Sequence, residues 1–216
     1  QSPIVEVGIN ELIGEMVAAG KLKAHTDSAA AVHASDLSLV CVGTPSHSNG
    51  SLNLDHIRKV CEEIGGAIKE KAEPHIVVIR STMLPGTIEG LVTPTLEKAS
   101  GKKAGVGFHV CINPEFLREG SSLKDFYAPP FTLIGADDAK VAEKIAELYK
   151  GVDAPVYVIA ARSAEMVKYA CNCFHGLKVA FANEIGNICK GVNIDSHEVM
   201  EVFCKDTKLN LSPYYM

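Results

Sequence analysis

The chain has 216 residues, 47% hydrophobic and 22% charged, with 18 Gly, 10 Pro, 7 Cys and no Trp, which excludes disorder and a collagen-like repeat. A chain of this size buries roughly 70% of its unfolded surface, enough for one large domain or two small ones. The formal net charge is −5, from 21 Lys+Arg and 26 Asp+Glu, and the longest basic run is Lys102-Lys103, so there is no electrostatic footprint for nucleic acid or an anionic membrane.

Apolar residues Ile9, Leu12, Ile13, Met16 and Val17 recur at helical spacing before a stop at Gly20, which predicts an amphipathic helix. A short helix follows at 29–34, then a strand at 37–42 ending in Gly43-Thr44-Pro45, and a helix at 54–70. Next come a strand at 76–79 ending in Arg80-Ser81-Thr82, a helix at 88–98, and a strand at 108–112 ending in Asn113-Pro114-Glu115. A loop rich in Pro and aromatic residues (126–130) leads to a strand at 132–134, a helix at 139–150 and a strand at 156–159. Short, nearly continuous apolar strands alternating with helices predict a doubly wound α/β fold with a parallel sheet covered on both faces. From 163 to 192 the pattern is helical throughout. At 1.5 Å per residue that helix is roughly 40 Å long, which suits a link to a second domain or to another subunit, as in a homodimer formed through it.

The seven cysteines are an odd count spread through strands and helices, which fits buried free thiols in a reducing, cytoplasmic compartment better than a disulfide framework. Cys171 and Cys173 face different sides of a helix, and no His-Glu-x-x-His or Cys-x-x-Cys spacing occurs, so no metal site is expected. Asn49-Gly-Ser and Asn210-Leu-Ser match the glycosylation pattern by chance on this reading. The most apolar stretch, 164–188, is interrupted by Lys168, Asn172, His175, Lys178 and Glu184, which leaves no membrane span.

Three successive strands end in polar punctuation. In open α/β sheets ligands bind outside the carboxyl ends of the strands, so Thr44, Thr82, Glu115 and Glu119 are expected around one cleft. On the long helix, Lys168, Asn172 and His175 form one stripe at i, i+4 and i+7 among apolar neighbours, where burial without partners would cost several kcal/mol. A Lys and an Asn one turn apart offer two donors to one small volume, as oxyanion stabilisation requires. A carboxylate opposite them can take a proton, directly or through water. The set suits oxidation of an alcohol with hydride leaving to a nicotinamide, or an acyl-type hydrolysis. No Gly-x-Gly-x-x-Gly occurs, so a phosphate-cradling turn lies upstream or does not exist.

Val42-Gly43-Thr44-Pro45, Arg80-Ser81-Thr82 with Pro85-Gly86-Thr87, the string 113–120 (Asn-Pro-Glu-Phe-Leu-Arg-Glu-Gly), Lys168-x-x-x-Asn172 and Phe181-Ala-Asn183-Glu184-Ile185 resemble the UDP-glucose/GDP-mannose dehydrogenase family, in order over essentially the whole chain. His175 and the terminal segment 208–216 are most similar to its GDP-mannose branch. The resemblance implies a Rossmann-like fold and a four-electron oxidation of a sugar-nucleotide C6 alcohol, GDP-mannose to GDP-mannuronate, with two NAD⁺ in turn and a thioester on a Cys. It implies that Glu115 acts as a base through an ordered water and that Thr82 holds that water and lines the nicotinamide site. Lys168 and Asn172 would form the oxyanion site, Thr44 would touch the cofactor, and Glu119, His175, Asn183, Tyr214 and Tyr215 would hold the sugar nucleotide. The family's glycine motif is expected before Gln1 and its nucleophilic Cys after Met216. Residues 1–160 would then be the remainder of the NAD-binding domain and 161–216 a central helical linker or dimerisation region, inactive by themselves. The alternatives are a UDP-glucose 6-dehydrogenase, a β-hydroxyacid dehydrogenase, against which the 113–119 string argues, and a non-catalytic binding or dimerisation module.

Overall fold

The computed structural model describes Ser2 and residues 4–208. They form two compact units, which divide between Tyr169 and Ala170.

The first unit contains α1 (Ile9–Ala18), α2 (Ser28–His33), β1 (Leu37–Val40), α3 (Asp55–Glu70), β2 (His75–Ile79), a π-helical turn (Ile88–Val92), α4 (Thr93–Ser100), β3 (Phe108–Ile112), α5 (Ser122–Tyr127), β4 (Thr132–Gly135), α6 (Ala139–Glu147), β5 (Val156–Ile159) and the start of α7 (Ala161–Gly191). The strands form one sheet in the order β1-β2-β3-β4-β5. Side-chain alternation on β2 shows why helices cover both faces. Val77 and Ile79 pack with Ile57, Cys61, Ile64 and Ile68 of α3 and Leu96 of α4. Ile76 and Val78 point the other way, into Cys111, Ile134 and Val141, Ala142 and Ile145 of α6. The architecture is therefore α/β, doubly wound and Rossmann-like, as the strand and helix periodicities predict.

Local departures from the predicted pattern have physical causes. β4 pairs antiparallel to β3, through Ile112↔Gly135, while the other pairs are parallel. The chain between them carries only the six-residue α5 and makes no helical crossover of a sheet face, which a parallel pairing needs. α5 itself falls within the segment leading into the expected loop. Its start is held from far away in sequence, by Gly120 and Ser122 N–H groups donating to the Glu6 carboxylate at 2.8 and 3.3 Å. β1 stops at Val40 rather than at 42, because the Val42 carbonyl accepts from the Ser81 hydroxyl at 2.6 Å instead of joining the ladder. The helix expected at 88–98 begins as a π turn, since Pro94 has no N–H to give to the Gly90 carbonyl. Cys61, Cys111 and Cys189 are buried, but Cys41, Cys171, Cys173 and Cys204 are exposed, which corrects the expectation that all seven are buried. They lie on helix faces and a strand end that the core does not cover.

In the second unit, α7 ends where Asn193 takes a left-handed conformation at φ 56°, and Ile194 N–H donates back to the Cys189 carbonyl at 2.9 Å. This is the left-handed stop that Asn tolerates. Asp195 then caps α8 (Ser196–Phe203) by accepting from His197 N–H at 2.9 Å, and the Phe181 and Phe203 rings pack 5.4 Å apart. No helix among the described residues is long and apolar enough to cross a membrane.

Beneath β1 and β2, Lys71 Nζ donates to the carbonyls of Val32 (3.0 Å) and Ser35 (2.5 Å) and to Nδ1 of the fully buried His75 (3.2 Å). A lysine only donates, so Nδ1 is the acceptor and Nε2–H donates to Ser38 Oγ at 2.9 Å. Burial, and then the Lys71 charge, push the His75 pKa down to about 4. The unfolded chain therefore binds the extra proton between pH 6.5 and 4, and stability falls as pH drops through that window. In urea unfolding, the stability advantage of wild type over His75→Gln is expected to shrink by about 2 kcal/mol from pH 7 to pH 5. A pH-independent difference would show that His75 does not carry it.

Candidate active site

β1, β2 and β3 are parallel neighbours, so their carboxyl ends stand side by side. The segments that follow them enclose a cleft of about 250 Å³ whose lining includes Thr44, Arg80, Thr82, Glu115 and the exposed Cys41. Thr44 Oγ1 donates to the Thr82 carbonyl at 3.0 Å, tying the first two segments together. The Thr82 hydroxyl makes no hydrogen bond to another described residue, which leaves it available to a ligand.

Lys168 comes to the same place from α7. It is 5% exposed, and its Nζ donates to the backbone carbonyl of Glu115 and to Glu115 Oε1 at 3.2 Å. The ammonium also lies 5.1 Å from the centre of the Phe116 ring, a favourable cation–π placement. Glu115 Oε2 accepts from Leu117 N–H at 2.7 Å. The Glu115 side chain keeps 35% of its surface exposed against 6% for Lys168, so the pair has a buried cationic end and an accessible anionic end.

α7 reaches this position because Gly135 lets it approach the sheet. A Cβ at Gly135 would stand 2.5 Å from Ala164 Cβ and from Ile112 Cγ2, and 2.9 Å from Ala161 Cα.

A second polar group is built on Arg80 of the lining. Arg80 Nη1 donates to Asn113 Oδ1 at 2.5 Å and to the Tyr149 hydroxyl at 2.6 Å. Tyr149 in turn donates to Asn113 Oδ1, and Asn113 Nδ2 donates to the Leu133 carbonyl at 2.8 Å. Arg80 and Asn113 belong to the Arg80-Ser81-Thr82 and 113–120 strings, which by themselves imply no role for either. Tyr149, beyond the end of α6, carries no sequence signal, since only the fold brings it to the strand ends.

Thr44, Thr82 and Glu115 are thus gathered in one cleft, with Lys168 on Glu115. Glu119 is exposed and outside the lining. Asn172, His175 and Asn183 are exposed and belong to the second unit. The expectation of an apolar environment along the Lys168 stripe therefore holds for Lys168 alone, because the division between the units falls at Tyr169, before Asn172. Tyr214 and Tyr215 lie outside the described residues. Among the described residues no cluster of three or more His, Cys, Asp or Glu could hold a metal ion.

Residues 1–153 match the UDP-glucose/GDP-mannose dehydrogenase family, NAD binding domain, and residues 162–216 match the central domain of the same family. The chain belongs to the UDP-glucose/GDP-mannose dehydrogenase family. A GDP-mannose 6-dehydrogenase of Azotobacter vinelandii is 53% identical over 216 residues, covering 100% of this chain and 50% of that protein. The crystal structure of a ternary complex of GDP-mannose dehydrogenase from Pseudomonas aeruginosa superposes with a TM-score of 0.97 at 53% identity, over 100% of this chain and 50% of that one. A UDP-glucose dehydrogenase from Pyrobaculum islandicum gives 0.91 at 40% identity, over 96% and 47%. The chain spans about half the length of the curated relatives it matches.

Gly135→Ala tests the seating of α7. The added methyl has no free volume, so α7 must shift, at a cost of about 1–3 kcal/mol. A fall in thermal stability is expected, together with a weakened Lys168–Glu115 contact, readable as a changed Lys168 side-chain signal by NMR. An unchanged midpoint would mean that the helix gives way without loss.

Proposed function

We propose that this chain supplies the cofactor-side cleft and the base of the long helix of an NAD-dependent sugar-nucleotide 6-dehydrogenase that oxidises GDP-mannose at C6 to GDP-mannuronate. The observation that carries this reading is the buried Lys168 held on Glu115 at the ends of the parallel strands, in a chain 53% identical to GDP-mannose 6-dehydrogenases. The lower identity to UDP-glucose dehydrogenase, 40%, favours GDP-mannose over UDP-glucose as substrate.

The residues present fit the nicotinamide end of NAD. The cleft lies at parallel strand ends, the Thr82 hydroxyl is unengaged among the described residues, and the Thr44 hydroxyl, donating to the Thr82 carbonyl, retains its acceptor capacity. When bound, NAD⁺ supplies the acceptor for the hydride that leaves the alcohol carbon. Lys168 places its positive charge where the alcohol oxygen becomes negative, and a preorganised donor of this kind acts most strongly in a dry site. Glu115 acts as a base through a water held near Thr82, taking the proton of the water that hydrolyses the thioester. Asn172 as a second oxyanion donor, and Glu119, His175, Asn183, Tyr214 and Tyr215 as contacts to the sugar nucleotide, are assigned by motif position. The second hydride leaves the hemithioacetal formed when a Cys thiol adds to the aldehyde, giving a thioester that water hydrolyses to the carboxylate and free thiol. None of the seven cysteines here stands in the glycine-rich context that the family resemblance implies for that nucleophile. We assign it to the other half of the enzyme, and residues 161–216 to a central, dimer-forming region.

In the full-length enzyme, Lys168→Ala is expected to lower kcat by on the order of 10²-fold or more, with little change in NAD⁺ affinity. An unchanged kcat would remove Lys168 from the chemistry. Glu115→Gln is expected to slow thioester hydrolysis, so that a covalent adduct accumulates and is detected by intact-protein mass spectrometry after mixing with GDP-mannose and NAD⁺. Loss of activity without an adduct would place Glu115 at an earlier step. A higher kcat/KM for UDP-glucose than for GDP-mannose would overturn the substrate assignment.

A further inference from the structure

Glu165 stands three residues before Lys168 on the same face of α7 and is 1% exposed, yet the chemistry above makes no use of it. A carboxylate this deep needs partners, because burying its charge alone is prohibitive. Its partners are two backbone amides in the segment that follows Thr82. Gly86 N–H donates to Oε2 at 2.6 Å, and Ile88 N–H donates to Oε1 at 2.9 Å. Burial still lifts the Glu165 pKa, as does the Glu89 charge more weakly, against the two amides and Arg162.

The segment that Glu165 holds is itself a closed turn. Thr87 N–H and Thr87 Oγ1 both donate to the Leu84 carbonyl, at 3.1 and 2.6 Å. Gly86 sits at φ +90°, a conformation that a side chain would strain. Met83, inside the turn, is 1% exposed. At its start, the Thr82 carbonyl accepts the Thr44 hydroxyl. With Thr44 bonded at one end and Glu165 at the other, the turn has little freedom to move Thr82.

We propose that Glu165 is a positioning residue for the oxidation. It anchors the Thr82 turn to the same stretch of α7 from which Lys168 grips Glu115, so that one helix sets the distance between the Thr82 and Glu115 strand ends. The step it serves is the one proposed above, and its role rests on that reading. Glu165 acts through the turn and touches neither substrate nor cofactor.

The test uses the full-length enzyme with Glu165→Gln and Glu165→Asp. Glutamine keeps the shape but offers one acceptor and one donor, so it cannot receive both amides. Aspartate keeps the charge but is one methylene shorter and cannot span them. Both variants are expected to lose about 10- to 100-fold in kcat, since a small misplacement near the reacting groups has effects of that size, with the KM for GDP-mannose unchanged. In both, hydrogen exchange at the Gly86 and Ile88 amides is expected to accelerate while α3 keeps its protection. A purely structural cap would lower the melting temperature and leave kcat per folded enzyme as it was. Wild-type kcat in either folded variant therefore overturns the proposal, as does a loss confined to KM. If the wild-type enzyme does not reduce NAD⁺ with GDP-mannose, the functional reading has failed, and unchanged exchange at Gly86 and Ile88 would then sink the anchoring role independently.

Discussion

The close seat of α7 on the sheet is the constraint on which the strand-end cleft depends. Ala161 and Ala164 lie where a Cβ at position 135 would collide with them, so the helix meets β4 over a glycine. Contact this tight excludes water, and the next charged residues on that face, Glu165 and Lys168, are buried as a consequence. Each must then find a polar partner in the protein. Glu165 finds amides after β2, and Lys168 finds a carbonyl and a carboxylate after β3. One packing contact thereby ties two strand ends to one helix.

A buried charge is weak evidence for stability, because its desolvation offsets much of what its partners return. An apolar residue in place of Lys168 would pack against Phe116 without that cost. What the ammonium adds is a positive charge fixed beside a carboxylate that remains accessible. The Arg80, Asn113 and Tyr149 group braces the same segment at Asn113, two residues before Glu115. Such bracing matters to catalysis because a donor already in place needs no reorganisation when charge develops.

The strands were legible in the sequence because a sheet covered on both faces writes its burial as short continuous apolar runs, and β2, buried at every position, is the clearest of them. The helices announced themselves by their 3.6-residue period, and Thr44, Thr82 and Glu115 by their place after strands. Other features carried no local signal. The antiparallel β4 depends on where a long connection returns. α5 depends on a carboxylate more than a hundred residues away, at Glu6. Cysteine exposure depends on which face the core leaves uncovered, and residue type alone overstated burial at Cys41, Cys171, Cys173 and Cys204.

By itself the sequence determined the α/β class, the order of elements and the likeness to the UDP-glucose/GDP-mannose dehydrogenase family, since periodicity and contiguous motifs are properties of neighbouring residues. The tertiary structure decided which residues the motif residues meet. It put Lys168 on Glu115 across 53 residues, brought Glu165 to Gly86 across 79 and carried Tyr149 to Asn113 across 36. Those contacts arise because close packing leaves buried polar groups no water to bind, and the partner each one finds is set by which chain segments the fold lays against it.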